Sequence, residues 1–277
     1  MILIAQISDF HLRPRGLPAL GFVDTNSFAR RAVATLLALR PAPDAVIVTG
    51  DIADTGDPRE YAMAREILSA LPMPVFLIPG NHDDRDAMRA SLGDTGWLGP
   101  AGSGPINSVA DIGAVRLVCL DSLVPGRPHG ELGAATLAWL DATLAAAADR
   151  PTLVAVHHPP FRTGLSHIDA ILLGDGAALE EVISRHPQVG RVVSGHLHRS
   201  ITASFGGTLA MIAPGTAHQV ALDLVDSPTA LFVMEPAGFL AHTWTADTGF
   251  VSHLQYIERF PGPYDFGVAE GAIRPGS

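Results

Sequence analysis

Five separate stretches of this chain end in residue types that bind divalent metals. They are Ser8-Asp9-Phe10-His11, Thr49-Gly50-Asp51, Gly80-Asn81-His82-Asp83, His157-His158-Pro159-Pro160 and Ser194-Gly195-His196-Leu197-His198. Carboxylate and amide oxygens and imidazole nitrogens suit hard to borderline divalent cations. Asp9, His11, Asp51, Asn81, His157, His196 and His198 make seven candidate ligands, and Asp51 has two oxygens with which to bridge two cations. One ion with six ligands at most would leave some idle, so two ions fit better. Two-metal hydrolases hold their ions about 3.5–4 Å apart and activate a bridging water as nucleophile. The spacing of Asp9 with His11, and of His196 with His198, predicts two ligands on one side of an extended tip, because alternate residues face the same way.

Each cluster follows an apolar run that reads as a buried strand: 2–7, 45–48, 75–78, 152–156 and 189–193. Side by side in one sheet, these strands would bring all five tips to one edge, where open α/β sheets carry their chemistry. Helices are expected over about 27–40, capped by Asp24, Thr25 or Asn26, and over 58–70, started by Asp57-Pro58-Arg59-Glu60. Strand and helix thus alternate across residues 1–80, which predicts parallel strands with right-handed crossovers. Further helices are expected over 84–92, 134–148 and 177–185, and strands over 106–110 and 115–120; 159–167 reads as irregular. Asp83 and Asp84 are expected to cap the helix that follows them. Beyond residue 200 the texture becomes short strands (201–205, 208–212, 219–224, 230–234) between Gly and Pro. The reading is one domain over 1–277, with 225–277 completing the second of two sheets and supplying a homo-oligomer interface through Trp244, Phe250, Tyr256, Phe260, Tyr264 and Phe266.

With 277 residues, 47% of them hydrophobic, the chain can bury a substantial core. Its net charge is −10, and all 18 basic residues are Arg. That balance argues against a nucleic-acid duplex as partner, since neutralising phosphates needs a basic surface. A small anion drawn into a cationic metal pocket is compatible. The single cysteine, Cys119, sits in a strand-like apolar run and reads as packing rather than chemistry. Neither a signal-peptide pattern nor an apolar run of about 20 residues is present, so the expectation is a cytoplasmic protein with no membrane partner.

Taken together, the five motifs resemble the signature of the calcineurin-like metallophosphoesterase superfamily, in the family's order over residues 9–198. The resemblance implies an α/β fold, a four-layer αββα sandwich, with a binuclear metal site at the C-terminal tips of the strands. It assigns Asp9, His11, Asp51 and His198 to one ion and Asp51, Asn81, His157 and His196 to the other. It gives His82 contact with the phosphoryl oxygens, where it steadies the transition state or protonates the leaving group. A further resemblance, through residues 21–26, His157-His158-Pro159-Pro160 and residues 214–220, is to bacterial glycerophosphodiesterases of the class III cyclic-nucleotide phosphodiesterase group. It brings His218 near the substrate phosphate, and it points to dimers or higher assemblies. Other branches differ. Purple acid phosphatases carry Tyr three residues after the bridging Asp, where this chain has Asp54. Protein Ser/Thr phosphatases follow it with an Asp-Arg-Gly, where this chain reads Ile52-Ala53-Asp54-Thr55-Gly56.

The function expected is hydrolysis of small phosphodiesters such as glycerophosphodiesters by a metal-bridging hydroxide, with Asp51, His82 and His218 as catalytic residues. Two divalent ions against Asp9, Asp51 and hydroxide leave a site of about +1, which a singly charged diester neutralises. The cofactors are two divalent ions from Fe, Mn, Zn and Co. A second reading is a cyclic-nucleotide phosphodiesterase or a broad phosphodiester and phosphonate-monoester hydrolase. A third is a non-catalytic interaction module on the same fold, which would be expected to have lost ligands. His158, His129, His186, His242 and His253 read as structural or surface residues.

Overall fold

The computed structural model describes residues 1–225 and 229–266. The chain opens with β1 (Ile2–Ile7), α1 (Thr25–Ala38), β2 (Ala45–Thr49), α2 (Pro58–Leu68), β3 (Val75–Ile78) and α3 (Arg85–Leu92). β1, β2 and β3 are parallel, as the alternation predicts. The helix starts follow from local hydrogen bonds. The Asp24 carboxylate accepts from Ser27 N at 3.1 Å, Asp57 and Glu60 form a capping box, and Asp84 accepts from Ala87 N at 2.8 Å.

The second half contributes β4 (Ser108–Ile112), β5 (Val115–Leu120), α4 (Gly133–Ala145), β6 (Thr152–Val156), α5 (Ser166–Asp169), α6 (Gly176–Ser184), β7 (Val189–Ser194), β8 (Ile201–Phe205) and β9 (Thr208–Ile212). They form a six-stranded sheet in the order β4-β5-β6-β7-β9-β8, parallel from β5 to β9 with antiparallel edges. β4 starts two residues later than the sequence predicts, because Ile106 N donates to the Asp121 carboxylate at 2.7 Å instead of joining the ladder. α5 begins at the end of the stretch expected to be irregular, 159–167, and runs two residues past it.

The late strands depart from expectation. β10 (Gln219–Val220) and β11 (Phe232–Val233) form a separate two-stranded ribbon, shorter than predicted and part of neither sheet. β12 (Gly238–Thr245) and β13 (Gly249–Tyr256) do not complete the second sheet. β12 pairs antiparallel with β1, giving a first sheet in the order β13-β12-β1-β2-β3. The reason is packing. β1 has β2 on only one side, and Phe239 and Ala241 of β12 join the apolar cluster under α1–α3. Residues 226–228 and 267–277 of the expected C-terminal segment lie outside the described residues.

Three apolar clusters define the layers. Leu3, Ala5 and Ile7 of β1 face Ala29, Val33 and Leu36 of α1. Ile4, Ala45 and Ile47 face Leu117, Cys119, Leu153 and Ala155 across the gap between the sheets. Val118, Leu120, Val154 and Val156 face Leu140 and Leu144 of α4 and Leu179 and Val182 of α6. Successive residues of one strand therefore serve opposite layers, the period-2 rule with both faces buried. Two sheets packed face to face carry helices outside. Among the described residues, no helix is long and apolar enough to cross a membrane.

Candidate metal centre

Three of the five tips come from the first sheet and two from the second. The expectation of a single sheet is corrected: the site lies where the C-terminal edges of two facing sheets meet. Polar ties cross between them. His196 N donates to Asp9 Oδ1 at 3.0 Å, and Gln6 Nε2 to Ser194 O at 2.8 Å. Gly195 is required by this approach, since a Cβ there would stand 1.9 Å from Ser8 Oγ and 2.9 Å from Thr49 O.

The tips are not extended. Asp9, His11, Asp51, His196 and His198 have φ of 57°, 45°, 49°, 73° and 48°. Among the described residues only one other non-glycine, Leu20, has positive φ. Left-handed backbone is unfavourable for such side chains and concentrates at functional sites. Here neighbouring tips hold it in place: Asp9 N donates to Gly50 O at 3.1 Å and His11 N to Asp51 O at 2.9 Å. Asp9 and His11 thus reach one group through tight turns, without strand alternation, while His196 and His198 fall in different groups.

Four imidazoles each have one nitrogen engaged by a carboxylate or backbone carbonyl. His11 Nδ1 lies 3.1 Å from Asp54 Oδ1, His157 Nδ1 2.7 Å from Thr49 O, His196 Nε2 3.0 Å from Ile171 O, and His198 Nδ1 3.2 Å from His218 O. Such partners set the tautomer and leave the other nitrogen as a metal donor. The opposite nitrogens of His11, His157 and His198 converge on the carboxylates, whereas His196 groups with His157 and His158. His11 Nε2 is 3.1 Å from His198 Nε2 and 3.6 Å from Asp51 Oδ2. His198 Nε2 is 3.4 Å from Asp9 Oδ1, and His157 Nε2 is 3.4 Å from Asp51 Oδ2 and 3.2 Å from Asn81 Oδ1. Two donors about 2.1 Å from one ion and about 90–109° apart stand about 3.0–3.4 Å from each other. The spacings observed, and the N/O donor set, fit divalent cations. Asp51 faces both histidines through Oδ2 alone, because Oδ1 accepts from His82 N at 2.9 Å. The structure brings Asp9, His11, Asp51 and His198 into one group with donor atoms within 4.8 Å of one another.

Burial and mutual charge shape the titration of these groups. Burial raises Asp9 above the ordinary carboxylate range. Burial also works against Asp51, but the His157 charge and hydrogen bond hold it well below that range. Burial would lower His157; Asp51 and Asp9 overcome it and push it up to about 9. His196 and His198 are pushed down to about 3, by burial first and then by the His157 and His11 charges respectively. A cation in the site must therefore displace a proton from His157, and metal uptake releases protons.

His82 lines the same cavity, its ring edge-on to His11 at 4.6 Å and its Nδ1 2.8 Å from Asp54 O. His218 packs 4.5 Å from the His198 ring, and burial, then His198, pushes it down to about 3. Its Nδ1 is buried with no hydrogen-bond partner. Asp84 caps α3 as expected, but Asp83 does not. Its buried carboxylate accepts from Ala53 N at 2.9 Å, Ile52 N at 3.1 Å and Gly80 N at 2.9 Å, tying the Asp51 tip to the Asn81 tip. Arg85 turns away from the cavity, to Asp121 at 2.6 Å. His158 lies beside His157 and His196, with Nδ1 2.8 Å from Ser122 Oγ. His186 pairs with Asp141 at 2.7 Å, and the buried His242 lies 3.1 Å from Gln6 Oε1. The sequence reading missed Asp54 as the partner of His11. It also missed the carbonyls of Thr49 and Ile171, which no residue type announces.

Two facing sheets whose parallel strands end in a ring of imidazoles and carboxylates define a dimetal hydrolase architecture. This chain belongs to the calcineurin-like phosphoesterase family, whose match spans residues 2–200. The family uses a binuclear divalent metal site, and the Asp and His cluster stands where that site is formed. Over 266 residues the chain is 36% identical to the glycerophosphodiester phosphodiesterase GpdQ of Enterobacter lignolyticus, covering 95% of this chain and 94% of that one. It is 33% identical over 219 residues to the 3',5'-cyclic adenosine monophosphate phosphodiesterase CpdA of Escherichia coli, covering 78% and 76%. A dimetal phosphatase from Danio rerio shares the fold, with a TM-score of 0.64 at 16% identity over 93% of this chain and 99% of that one.

Proposed function

We propose that this chain is a metal-dependent phosphoric diester hydrolase acting on small phosphodiesters, the reaction in the names of both curated relatives. The observation that carries the reading is the group of Asp9, His11, Asp51 and His198, with His157 beside Asp51 and Asn81, at the floor of a cavity of about 310 Å³ that His11, Asp51, Asn81, His196 and His198 line. Asp9, His11, Asp51 and His198 would hold one ion, and Asp51, Asn81, His157 and His196 the other. Divalent ions of the Fe, Mn, Zn and Co type supply Lewis acidity toward a phosphoryl oxygen and bring the pKa of a bound water near neutrality. The chain's own residues do the rest. Asp51 is fixed by the His82 N–H. With His82 Nδ1–H donating to Asp54 O, Nε2 carries a proton only when the ring is an imidazolium, and in that form it is the ring atom that passes one to the leaving alkoxide and returns to the neutral ring. His218, neutral at pH 7, offers one N–H to a phosphoryl oxygen.

Diesters are expected over monoesters. A monoester carries close to two negative charges, and enzymes for it commonly add a forked guanidinium. No arginine is among the described residues lining this cavity. The test is kcat/KM for a bis-aryl phosphate against the mono-aryl phosphate on metal-reconstituted protein, with His218→Ala raising KM more than it alters metal content. A clear monoester preference removes the reading. Cyclic nucleotides and phosphonate monoesters belong in the same panel, because CpdA is named for the former. The enzyme is read as cytoplasmic. It is also read as a homo-oligomer, through Phe260, Tyr264 and Phe266, which are 59%, 73% and 89% exposed. Sedimentation showing only monomer at micromolar concentration sinks that assignment.

A further inference from the structure

We infer that the cavity holds an apolar subsite beside the metal cluster, built for an aryl or other planar apolar ester group of the substrate. The inference rests on the reading above only in taking phosphorus to lie at the cluster. The polar side chains that line the cavity all belong to the metal half: five of the candidate ligands (His11, Asp51, Asn81, His196 and His198) together with Asp54, His82 and His218. The remaining described lining is apolar, and Leu20, Ile171, Val220, Leu231 and Phe232 form most of it. Hydroxyls of a polyol group would meet hydrocarbon there and find no side-chain partner among the described residues, a loss that disfavours binding.

The wall is assembled from parts that the fold does not otherwise need. The β10–β11 ribbon belongs to neither sheet, yet its Val220↔Phe232 pair delivers both side chains to the cavity. The Gln219 side chain anchors the ribbon, donating to Gly215 O at 2.8 Å. The Phe232 ring stands edge-on to His218 at 5.5 Å and stacks on Phe22 at 6.0 Å and 28°. Phe232 thus joins a proposed phosphate contact to the loop that carries Leu20. Leu20 has φ 51° and is followed by Gly21 with φ 81°, in a turn closed by Phe22 N donating to Ala19 O at 3.1 Å. Both central residues with positive φ make a type I′ turn, whose first position ordinarily takes Asn or Gly. A leucine thus stands there against its backbone preference, and it lines the cavity. Leu20, Leu231 and Phe232 remain 51%, 52% and 41% exposed, surface that a ligand's ring would cover.

The test is calorimetric binding of phenylphosphonate and methylphosphonate to the Mn²⁺-loaded protein, which share a head group and differ only in the apolar part. The phenyl compound is expected to bind about tenfold tighter, equivalent to about 1.4 kcal/mol and to roughly 55 Å² of apolar surface leaving water. Phe232→Ala is expected to cut that ratio to about twofold, with methylphosphonate affinity nearly unchanged. Leu20→Asn, which suits the turn and so keeps the fold, is expected to cut the ratio to about fivefold. Equal affinities in the wild type, no binding of either compound, or a ratio that survives both substitutions overturns the subsite. Turnover of methyl aryl phosphate is measured in parallel. Preference without turnover keeps the subsite and removes the diesterase reading; turnover without preference does the reverse.

Discussion

Gly195→Ala tests how tightly the two sheet edges must approach. The added Cβ would stand 1.9 Å from Ser8 Oγ, 2.8 Å from Asp9 Oδ2 and 2.9 Å from Thr49 O. The Ser8 hydroxyl can rotate away. The Asp9 carboxylate and the Thr49 carbonyl must each retreat by about 0.5 Å to reach ordinary contact, and overpacking of this kind destabilises by about 1–3 kcal/mol. The larger effect falls on the metals. Asp9 faces His198, and Thr49 O fixes the His157 tautomer at 2.7 Å, so one methyl group disturbs both proposed ion sites. Loss of outer partners and small displacements of ligands lower metal affinity about 10–100-fold. Isothermal titration with Mn²⁺ and thermal melting of the same preparations read both quantities. Gly102→Ala is the control, since a Cβ there meets nothing within 4 Å. A Gly195→Ala protein with wild-type metal affinity and Tm would refute the argument that the sheet junction positions the ligands.

Three further outcomes are expected. Asp51→Ala should lose both ions while keeping the fold, because Oδ2 faces His11 and His157 together; two tightly bound metals by elemental analysis would exclude its bridging role. Arg85→Ala strips the partner from the buried Asp121 carboxylate and should destabilise by about 3–5 kcal/mol, leaving the ratio of diester to monoester turnover unchanged; a changed ratio would mean that the guanidinium reaches substrate. Burial, then Arg191, pushes His242 down to about 3, so its folded form stays neutral where the unfolded chain takes up a proton. Its contribution is complete above about pH 6.5 and is lost as pH falls toward about 3, by about 1.4 kcal/mol at pH 5.5. Denaturation at pH 7.5 and 5.5 should therefore show a shallower acid loss in His242→Gln than in wild type, and equal losses would contradict the assignment.

The strands and the candidate ligands were legible because each is a local pattern: an apolar run, then Asp, Asn or His. Partnering across the molecule was not. Nothing in residues 238–256 says that they pair with β1 instead of extending the second sheet; the free edge of β1 and the burial of Phe239 decide it. Asp83 reads as a helix cap beside Asp84 because both precede α3, and only the tertiary approach of Ile52, Ala53 and Gly80 turns its carboxylate inward. The structure does bring Asp9 and His11 into one group, but not by the alternation their spacing suggests, since the backbone there is left-handed. The carbonyls that orient the histidines carry no sequence signal at all.

If Asp51 joins two ions, each completed by its own ligand set, anomalous diffraction from crystals grown with Mn²⁺ will show it. Two peaks are expected about 3.5–4 Å apart, one among Asp9, His11, Asp51 and His198 and the other among Asp51, Asn81, His157 and His196. A single peak, or two peaks that do not share Asp51, would contradict it.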